Sequence, residues 1–358
     1  MVKYTIRRLI QTIPTFFGIT IFAYLLMTAA PGGPVAALTF DPRTTPQQRE
    51  RVAAQLGVND PWPVQYLRWL AGDDWMRWDS DGDGVSDGSF LLPLDADGDG
   101  EPEPPGTRKG IIRGDFGRSF FYRRDVIGMI GERVAATFEL GASALFLGVA
   151  VGVPVGILAA VNKSGWFDNL TRVMAVCFNA IPIFWLGLIL ILIFGSWLGI
   201  LPMGGRTPPV LTGGIPPLWE RINHLILPTF VLATGTIAIY SRYMRASMLD
   251  VMSQDYMRTA TSKGLAARIV WFKHGARNAL IPLATFLGPA ITGLLAGAAI
   301  TETIFSWPGL GRFAVEAVKQ QDYPVVMAVV IITAISTMLG YILSDIFYAL
   351  IDPRIRFG

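Results

Sequence analysis

Six long stretches of this chain are almost free of charge, and they limit its fold more than any other feature. They run over residues 9–30, 134–161, 173–201, 222–241, 279–300 and 323–344. A helix rises about 1.5 Å per residue, so roughly 20 apolar residues cross the hydrocarbon core of a bilayer. Each stretch reaches that length. A soluble domain carries about a quarter of its residues as charged ones, whereas this chain of 358 residues carries 16%, against 52% hydrophobic. The expectation is an all-α integral membrane protein with six transmembrane helices.

The first stretch follows Lys3, Arg7 and Arg8 and precedes Ala29 and Ala30, as a signal peptide would. It spans about 22 residues, longer than the ~7–15 of a secretory core, so it reads as a retained span. Cys177, the single cysteine, lies in the third stretch and forms no intrachain disulfide.

Lys and Arg accumulate on the cytoplasmic side of membrane proteins. They cluster at the N-terminus and between the fourth and fifth stretches, where Arg242, Arg245, Arg258, Lys263, Arg268, Lys273 and Arg277 face only Asp250 and Asp255. Both termini are therefore expected inside the cell, with 31–132, 202–221 and 301–322 outside. The chain divides into a first span (1–30), an outer loop (31–132), a core of five spans (133–351) holding a basic loop (249–278), and a tail (352–358). Residues 73–103 are foreign to this plan. They hold eleven acidic residues against Arg77, a net of −10, while the whole chain is +3, so the remainder carries +13. The basic remainder suits membrane topology and anionic lipid contact, and no nucleic-acid motif accompanies it.

Proline and glycine recur inside the stretches, among them Pro14, Gly18, Pro154, Pro182, Pro228, Pro282, Gly288 and Pro289. They fit close helix packing through small residues or kinks that shape a translocation path.

The sequence holds no engine. It lacks the G-x-x-x-x-G-K-[ST] phosphate loop and the G-x-S-x-G elbow. His224 and His274 stand alone, without the Cys or carboxylate neighbours of a zinc site. Glu139 is the single charge well inside the second stretch, which makes it either a structural carboxylate or a path-lining one. Asp345 is read as a helix terminator near the cytoplasmic face. No catalytic residue is expected, and the chain is not read as an enzyme.

A transporter without an engine borrows one, which directs attention to the loop Asp255-Tyr-Met-Arg-Thr-Ala-Thr-Ser-Lys-Gly-Leu-Ala-Ala-Arg268. Residues 256–263 favour a short helix, with Gly264 as its stop. Small side chains at Thr259, Ala260, Thr261 and Ser262 suit a helix lying in a partner's groove. A plain basic loop at the lipid surface accounts for the same residues, and the pattern alone leaves both readings open.

At these residues the chain resembles the permeases of ATP-binding-cassette (ABC) importers, in their dipeptide/oligopeptide branch. Arg258, Thr259 and Ala260 stand where the broad family has Glu-Ala-Ala, and Gly264 matches its glycine. His274 to Arg277 replace the broad family's Ile-x-Leu-Pro and read as the peptide branch does. The opening Tyr4-Thr-Ile-Arg-Arg-Leu-Ile-Gln-Thr-Ile-Pro14, the turn Pro31-Gly-Gly-Pro34 (with Gly33 in place of the branch's Asp), Ile181-Pro-Ile-Phe-Trp-Leu-Gly187, Trp307-Pro-Gly-Leu-Gly-Arg312, Asp322-Tyr-Pro324 and Asp352-Pro-Arg-Ile-Arg356 extend the likeness over nearly the whole chain apart from the acidic insert.

The resemblance implies a type I ABC importer permease fold in the plasma (inner) membrane of a prokaryote. It implies a sibling permease as heterodimer partner, two ABC ATPase subunits that bind the ATP and Mg2+, and an extracytoplasmic solute-binding protein. Asp255, Tyr256, Arg258, Thr259, Ala260, Lys263, Gly264, His274 and Arg277 would form the ATPase-coupling loop, working by rigid-body gating. Short peptides are the expected substrate, with oligosaccharides or metal chelates as the alternative in the same machine. A stand-alone ion-coupled transporter would need ionisable groups within the spans, and these are nearly absent.

The acidic insert holds one feature the resemblance does not supply. Asp79-Ser-Asp-Gly-Asp-Gly84 and Asp95-Ala-Asp-Gly-Asp-Gly100 repeat one pattern sixteen residues apart. Alternating carboxylates before a glycine match positions 1, 3, 5 and 6 of an EF-hand loop, and Asp87 and Glu103 fall at position 9. Position 12 is Phe90 in one and Gly106 in the other, so neither loop is a complete EF-hand. Calcium held by Asp79, Asp81, Asp83, Asp87, Asp95, Asp97, Asp99 and Glu103 is the expectation, set against a solvated acidic segment.

Overall fold

The computed structural model describes residues 2–29, 62–74, 77–78, 88–89, 109–208, 217–284, 286, 290, 293 and 298–351. The seven aspartates and one glutamate expected to hold calcium, the Pro31–Pro34 turn and the 352–356 ending lie outside the described residues.

Helices dominate. In chain order they are α1 (Val2–Ala29), α2 (Trp62–Ala71), α3 (Val126–Val161), α4 (Trp166–Ala180), α5 (Ile183–Leu190), α6 (Leu218–Met252), α7 (Asp255–Ser262), α8 (Ala267–Ile269), α9 (Ala276–Ala284), α10 (Ala299–Ile304), α11 (Leu310–Lys319) and α12 (Tyr323–Ile351). Two-residue strands, β1 (Arg77–Trp78) and β2 (Gly88–Ser89), pair antiparallel. Wider π-turns prolong α5 over Ile191–Trp197 and join α8 to α9 over Val270–Gly275.

Among the described residues, four helices are long and apolar enough to cross a membrane: Ile6–Ala29, Val126–Val161, Leu218–Met252 and Tyr323–Ser344. A fifth is reached if Trp166–Ala180 and Ile183–Trp197, bent by 100°, count as one span. The chain is thus a multi-pass membrane protein. The stretch 279–300 is described only in part.

Two expectations change. The third stretch is a broken pair that starts at Trp166 rather than one helix from residue 173. Pro182 supplies no N–H and caps α5, while Ile181 before it is extended, with φ −73° and ψ 123°, as the residue ahead of a proline tends to be. Asp345 does not end its helix, because α12 continues to Ile351.

The chain forms two compact units. One comprises Met1–Thr12, Arg133–Phe313 and Ile335–Gly358. Within it α3 meets α6 along Gly148, Gly152 and Gly156, one residue every four. A Cβ at Gly156 would lie 2.6 Å from the Ser241 carbonyl oxygen, and one at Gly148 would lie 2.4 Å from Thr236 Cγ2. Only hydrogen at these positions lets the two backbones approach, as small-residue stripes do in membranes. Beside the stripe, Ile157, Ala160, Tyr240, Met244, Met248, Ala276, Ala279 and Leu283 form a buried cluster joining α3, α6 and α9. Asp168 of α4 is fully buried and accepts from the Arg245 guanidinium of α6 at 2.7 Å and from the Ser164 N–H at 2.9 Å.

The second unit comprises Ile13–Glu132 and Ala314–Ala334. Ala23, Tyr24, Tyr66, Leu70 and Met327 form its apolar cluster. Polar groups there are matched: the Thr20 and Tyr66 hydroxyls lie 2.8 Å apart, and Tyr24 Oη donates to Gln65 Oε1 at 3.2 Å. Arg113 ties the turn Ile111–Arg113 to the end of α2, donating to the Ala71 carbonyl at 2.7 Å and gripping both carboxylate oxygens of Asp74.

Candidate functional site

The basic loop folds as a short helix on a packed base. α6 stops at Met252, and Ser253 and Gln254 turn the chain by donating to the Asp250 and Val251 carbonyls. Gln254 is extended and precedes α7. Asp255 then stands in the first helical turn, where a carboxylate complements the helix dipole. Met257 and Ala260, three apart, point inward and pack with Val270, Val251, Met252 and Trp271. Asp255, Arg258, Thr259 and Ser262 occupy the opposite face and are exposed. Arg258 and Asp255 form a loose pair at 3.8 Å with side chains 77% and 97% accessible, an arrangement that adds little stability.

The helix ends where the sequence requires. The Lys263 and Gly264 N–H groups close on the Thr259 and Thr261 carbonyls, and Gly264 has φ +75°, the left-handed conformation that glycine supplies at helix ends. Nothing lies within 4 Å of a Cβ built there, so the demand for glycine is conformational rather than steric. A cleft of about 320 Å³ opens beside α7, lined by Met252, Met257, Arg258, Thr261, Ser262, Val270 and Trp271. Ser247 donates to the Ala279 carbonyl at 2.9 Å, fastening α6, and with it the root of α7, to α9.

The expected coupling residues divide. Asp255, Tyr256, Arg258, Thr259, Lys263 and Gly264 lie on or at the end of the exposed helix; Arg277 is exposed on α9, and His274 is half-buried in the π-turn. Ala260 differs: it is buried at 7% exposure, so its small size serves the packing of α7 on its base rather than an outward face.

Two further motifs close on buried carboxylates: Glu302, which the sequence reading did not name, and Asp322, which it quoted without a role. In the first unit, Trp307-Pro-Gly-Leu-Gly-Arg312 wraps Glu302, which is 0% exposed. Glu302 accepts from the Thr137 hydroxyl at 2.9 Å and from the Arg312 N–H at 2.8 Å. Thr137 accepts in turn from the Leu310 N–H at 2.7 Å. A Cβ at Gly309 would lie 2.3 Å from the Glu302 carboxyl carbon, and one at Gly311 would lie 2.8 Å from the Ala299 Cα and 3.0 Å from Glu302 Oε2; Gly309 leaves room for the carboxylate, and Gly311 first of all for the Ala299 backbone. The buried Trp307 indole donates to the Ala136 carbonyl at 2.8 Å. In the second unit, Asp322 of Asp322-Tyr-Pro324 is 1% exposed and accepts from the Ser119 hydroxyl and from the N–H groups of Phe120 and Phe121. A carboxylate directly after the charge-poor fifth stretch was the available signal for Glu302. Ser119 and Asp322 are 203 positions apart, and no local pattern links them.

Glu139 is ion-paired on both oxygens, with Arg206 and with Arg221, the latter at 3.1 Å. Of its two readings, the pairing supports the structural one. Among the described residues no group of three or more His, Cys, Asp or Glu is placed to hold a metal ion.

Comparison with known proteins gives this architecture its context. A family model described as "binding-protein-dependent transport system inner membrane component" matches residues 152–357, and the N-terminal model of the same kind of component matches residues 1–78. The chain is 37% identical to the oligopeptide transport system permease protein AppB of Bacillus subtilis (strain 168), with 100% of both chains covered. It is 34% identical to the dipeptide transport system permease protein DppB of Escherichia coli (strain K12), covering 99% of each. To the glutathione transport system permease protein GsiC of Escherichia coli O1:K1 / APEC it is 33% identical over 100% of each. A solved chain of the MetNI methionine ABC transporter in an inward-facing conformation superposes with a TM-score of 0.51 at 16% identity, covering 63% of this chain and 97% of that one, a likeness of fold alone. The helical membrane body, the match of both family models and full-length similarity to three permeases together place the chain in the family of binding-protein-dependent transport system inner membrane components.

Proposed function

We propose that this chain is one of two sibling permease subunits in an ATP-driven importer of short peptides. Two cytoplasmic ABC ATPases drive it, and an extracytoplasmic binding protein delivers the substrate. The observation that carries the reading is α7: an eight-residue helix, exposed along Asp255, Arg258, Thr259 and Ser262, seated on a packed base and joined to the spans through α6 and α9. Such a helix fits a groove on a partner and transmits the partner's movement as a rigid body. The names of the relatives, for oligopeptides, dipeptides and glutathione, favour peptide over oligosaccharide or metal chelate. With the ATPases in the cytoplasm, α7 and both termini lie inside, and the stretch 279–300 completes a sixth span. The missing phosphate loop in the sequence assigns ATP to the partners.

The test is made on the assembled complex in proteoliposomes. Thr259→Trp enlarges the outward face of α7, and Gly264→Leu opposes the left-handed turn. Each is expected to abolish ATP-driven peptide uptake while the subunits still copurify. Normal uptake by both variants would place the coupling surface elsewhere.

We further propose that the acidic insert takes up calcium at the two Asp-rich repeats, a reading supported by their sequence pattern alone. Extracellular modules of this kind bind with Kd of about 10⁻⁴–10⁻³ M. Calorimetry on the intact chain should show a calcium heat that disappears in the Asp81→Ala/Asp97→Ala variant. An equal heat in both proteins, or none in either, contradicts the proposal.

A further inference from the structure

The segment between Gly117 and Val126 is an exposed loop built with unusual economy. Its ends are pinned by Val126 N–H to the Gly117 carbonyl at 3.1 Å and Ser119 N–H to the Arg124 carbonyl at 2.9 Å. Its interior is filled by one carboxylate, Asp322, which takes the Ser119 hydroxyl and the Phe120 and Phe121 N–H groups. Ser119 then accepts from the Tyr122 N–H at 2.8 Å. Arg123 sits at φ +57°, a left-handed conformation that a non-glycine residue keeps only when its surroundings impose it. Two contacts do so: its N–H donates to the Ser119 carbonyl at 3.1 Å, and the Arg118 guanidinium donates to its carbonyl at 2.9 Å.

This loop presents a mixed surface. Phe121 is 58% exposed, and Arg118, Arg123 and Arg124 of the same loop are exposed too. From 109 to 125 the chain carries Lys109 and four arginines, the fourth being Arg113, against Asp115 and Asp125, a net of +3. Arg118 pairs with Asp125 at 3.7 Å, and Arg124 pairs with Glu132, with every side chain more than half accessible. Such solvated pairs are weak and are readily exchanged for a partner's carboxylates. An exposed aromatic residue in an arginine-rich loop has the composition enriched at protein interfaces, and a loop ordered in advance loses less entropy when it docks.

Aromatic and arginine side chains also suit a lipid headgroup layer, but the height of this loop argues against one. Eight helical residues separate Val126 from the start of the charge-poor stretch at 134, a rise of about 12 Å, whereas the headgroup layer is roughly 5–7 Å deep on each side.

We infer that the loop 117–126, latched by Asp322, docks an acidic surface of the extracytoplasmic binding protein, with Phe121 as its apolar anchor and Arg118, Arg123 and Arg124 as its steering charges. This rests on the permease reading above and on residues 31–132 facing outward. Asp322 acts as a positioning residue, since it shapes the loop without reaching the partner.

The test uses the full complex in nanodiscs with its cognate binding protein, reading stimulation of the ATPase. Phe121→Ala and Arg123→Glu should each raise the half-saturating concentration of binding protein about tenfold, the size of one good interface contact, and excess binding protein should restore the maximal stimulated rate. The wild-type half-saturation should rise with salt, and Arg123→Glu should flatten that dependence. Asp322→Asn should shift half-saturation in the same direction and speed amide exchange at Phe120 and Phe121. Unchanged half-saturation in both surface variants overturns the proposal. So does a loss of maximal rate alone, or a shift that follows the anionic lipid content of the disc. Absence of stimulation in the wild-type complex would contradict the importer reading along with the proposal.

Discussion

Glu139, Asp168 and Glu302 are carboxylates of the first compact unit, and each is matched by a different chemistry. Glu139 shares its oxygens between Arg206 and Arg221. Asp168 combines the Arg245 guanidinium with a backbone N–H. Glu302 relies on a hydroxyl and a backbone N–H. An unmatched buried charge is costly, and Gly309 leaves the space that the Glu302 carboxyl occupies. Outside that unit the balance is lighter. Hydrogen bonds from Arg113 hold the Asp74 carboxyl below its ordinary value of 3.8, and partial burial opposes them. A depressed folded-state value means that the ionised pair stabilises the fold above the ordinary carboxylate pKa, and that this contribution disappears as pH falls through the lower, folded value. Acidification below about pH 4 should therefore release the turn Ile111–Arg113 from α2, seen as faster amide exchange at residues 110–114. Asp74→Asn should show that faster exchange already at neutral pH. Exchange independent of pH in the wild type would contradict the assignment.

At the scale of elements, the α3–α6 contact makes the sharpest demand on sequence. Gly156→Val would push a branched side chain against the Ser241 carbonyl and Met244 Cβ, 2.6 and 2.7 Å from the first added carbon. Overpacking of this kind costs about 1–3 kcal/mol, more where backbone must move, and thermal unfolding in detergent should show it. Gly128, around which a Cβ meets nothing within 4 Å, is the control, and equal melting of Gly156→Val and Gly128→Ala would refute the close packing. Much of this level was legible. The charge-poor stretches mark the long helices because hydrocarbon tolerates little else, and Gly264 marks the end of α7 because the left-handed turn has few other occupants. What stayed hidden depends on partners remote in sequence. Ala260 has the small side chain of a docking face yet points inward, because Met257 and Val270 claim it. The bend at Pro182 and the run of α12 past Asp345 to Ile351 were decided by local backbone geometry that hydropathy does not register. The Ser119–Asp322 latch joins residues on different elements, so neither flanking motif announces the other.

Taken as a whole, the molecule is a multi-pass membrane protein of the binding-protein-dependent permease family. Residues 73–103 are strongly acidic and the rest is basic, and the exposed features, α7 and the Phe121 loop, suit surfaces on other proteins. On the proposed function, transport needs the partners, and this chain by itself is expected neither to move substrate nor to hydrolyse ATP. The most direct measurement is uptake of a labelled dipeptide into proteoliposomes holding this chain alone, this chain with its sibling permease, or the full complex with ATPases and binding protein. Accumulation against a gradient in the full complex only, abolished without ATP and insensitive to ionophores, is the predicted result; accumulation or ATP hydrolysis by the chain alone would contradict it.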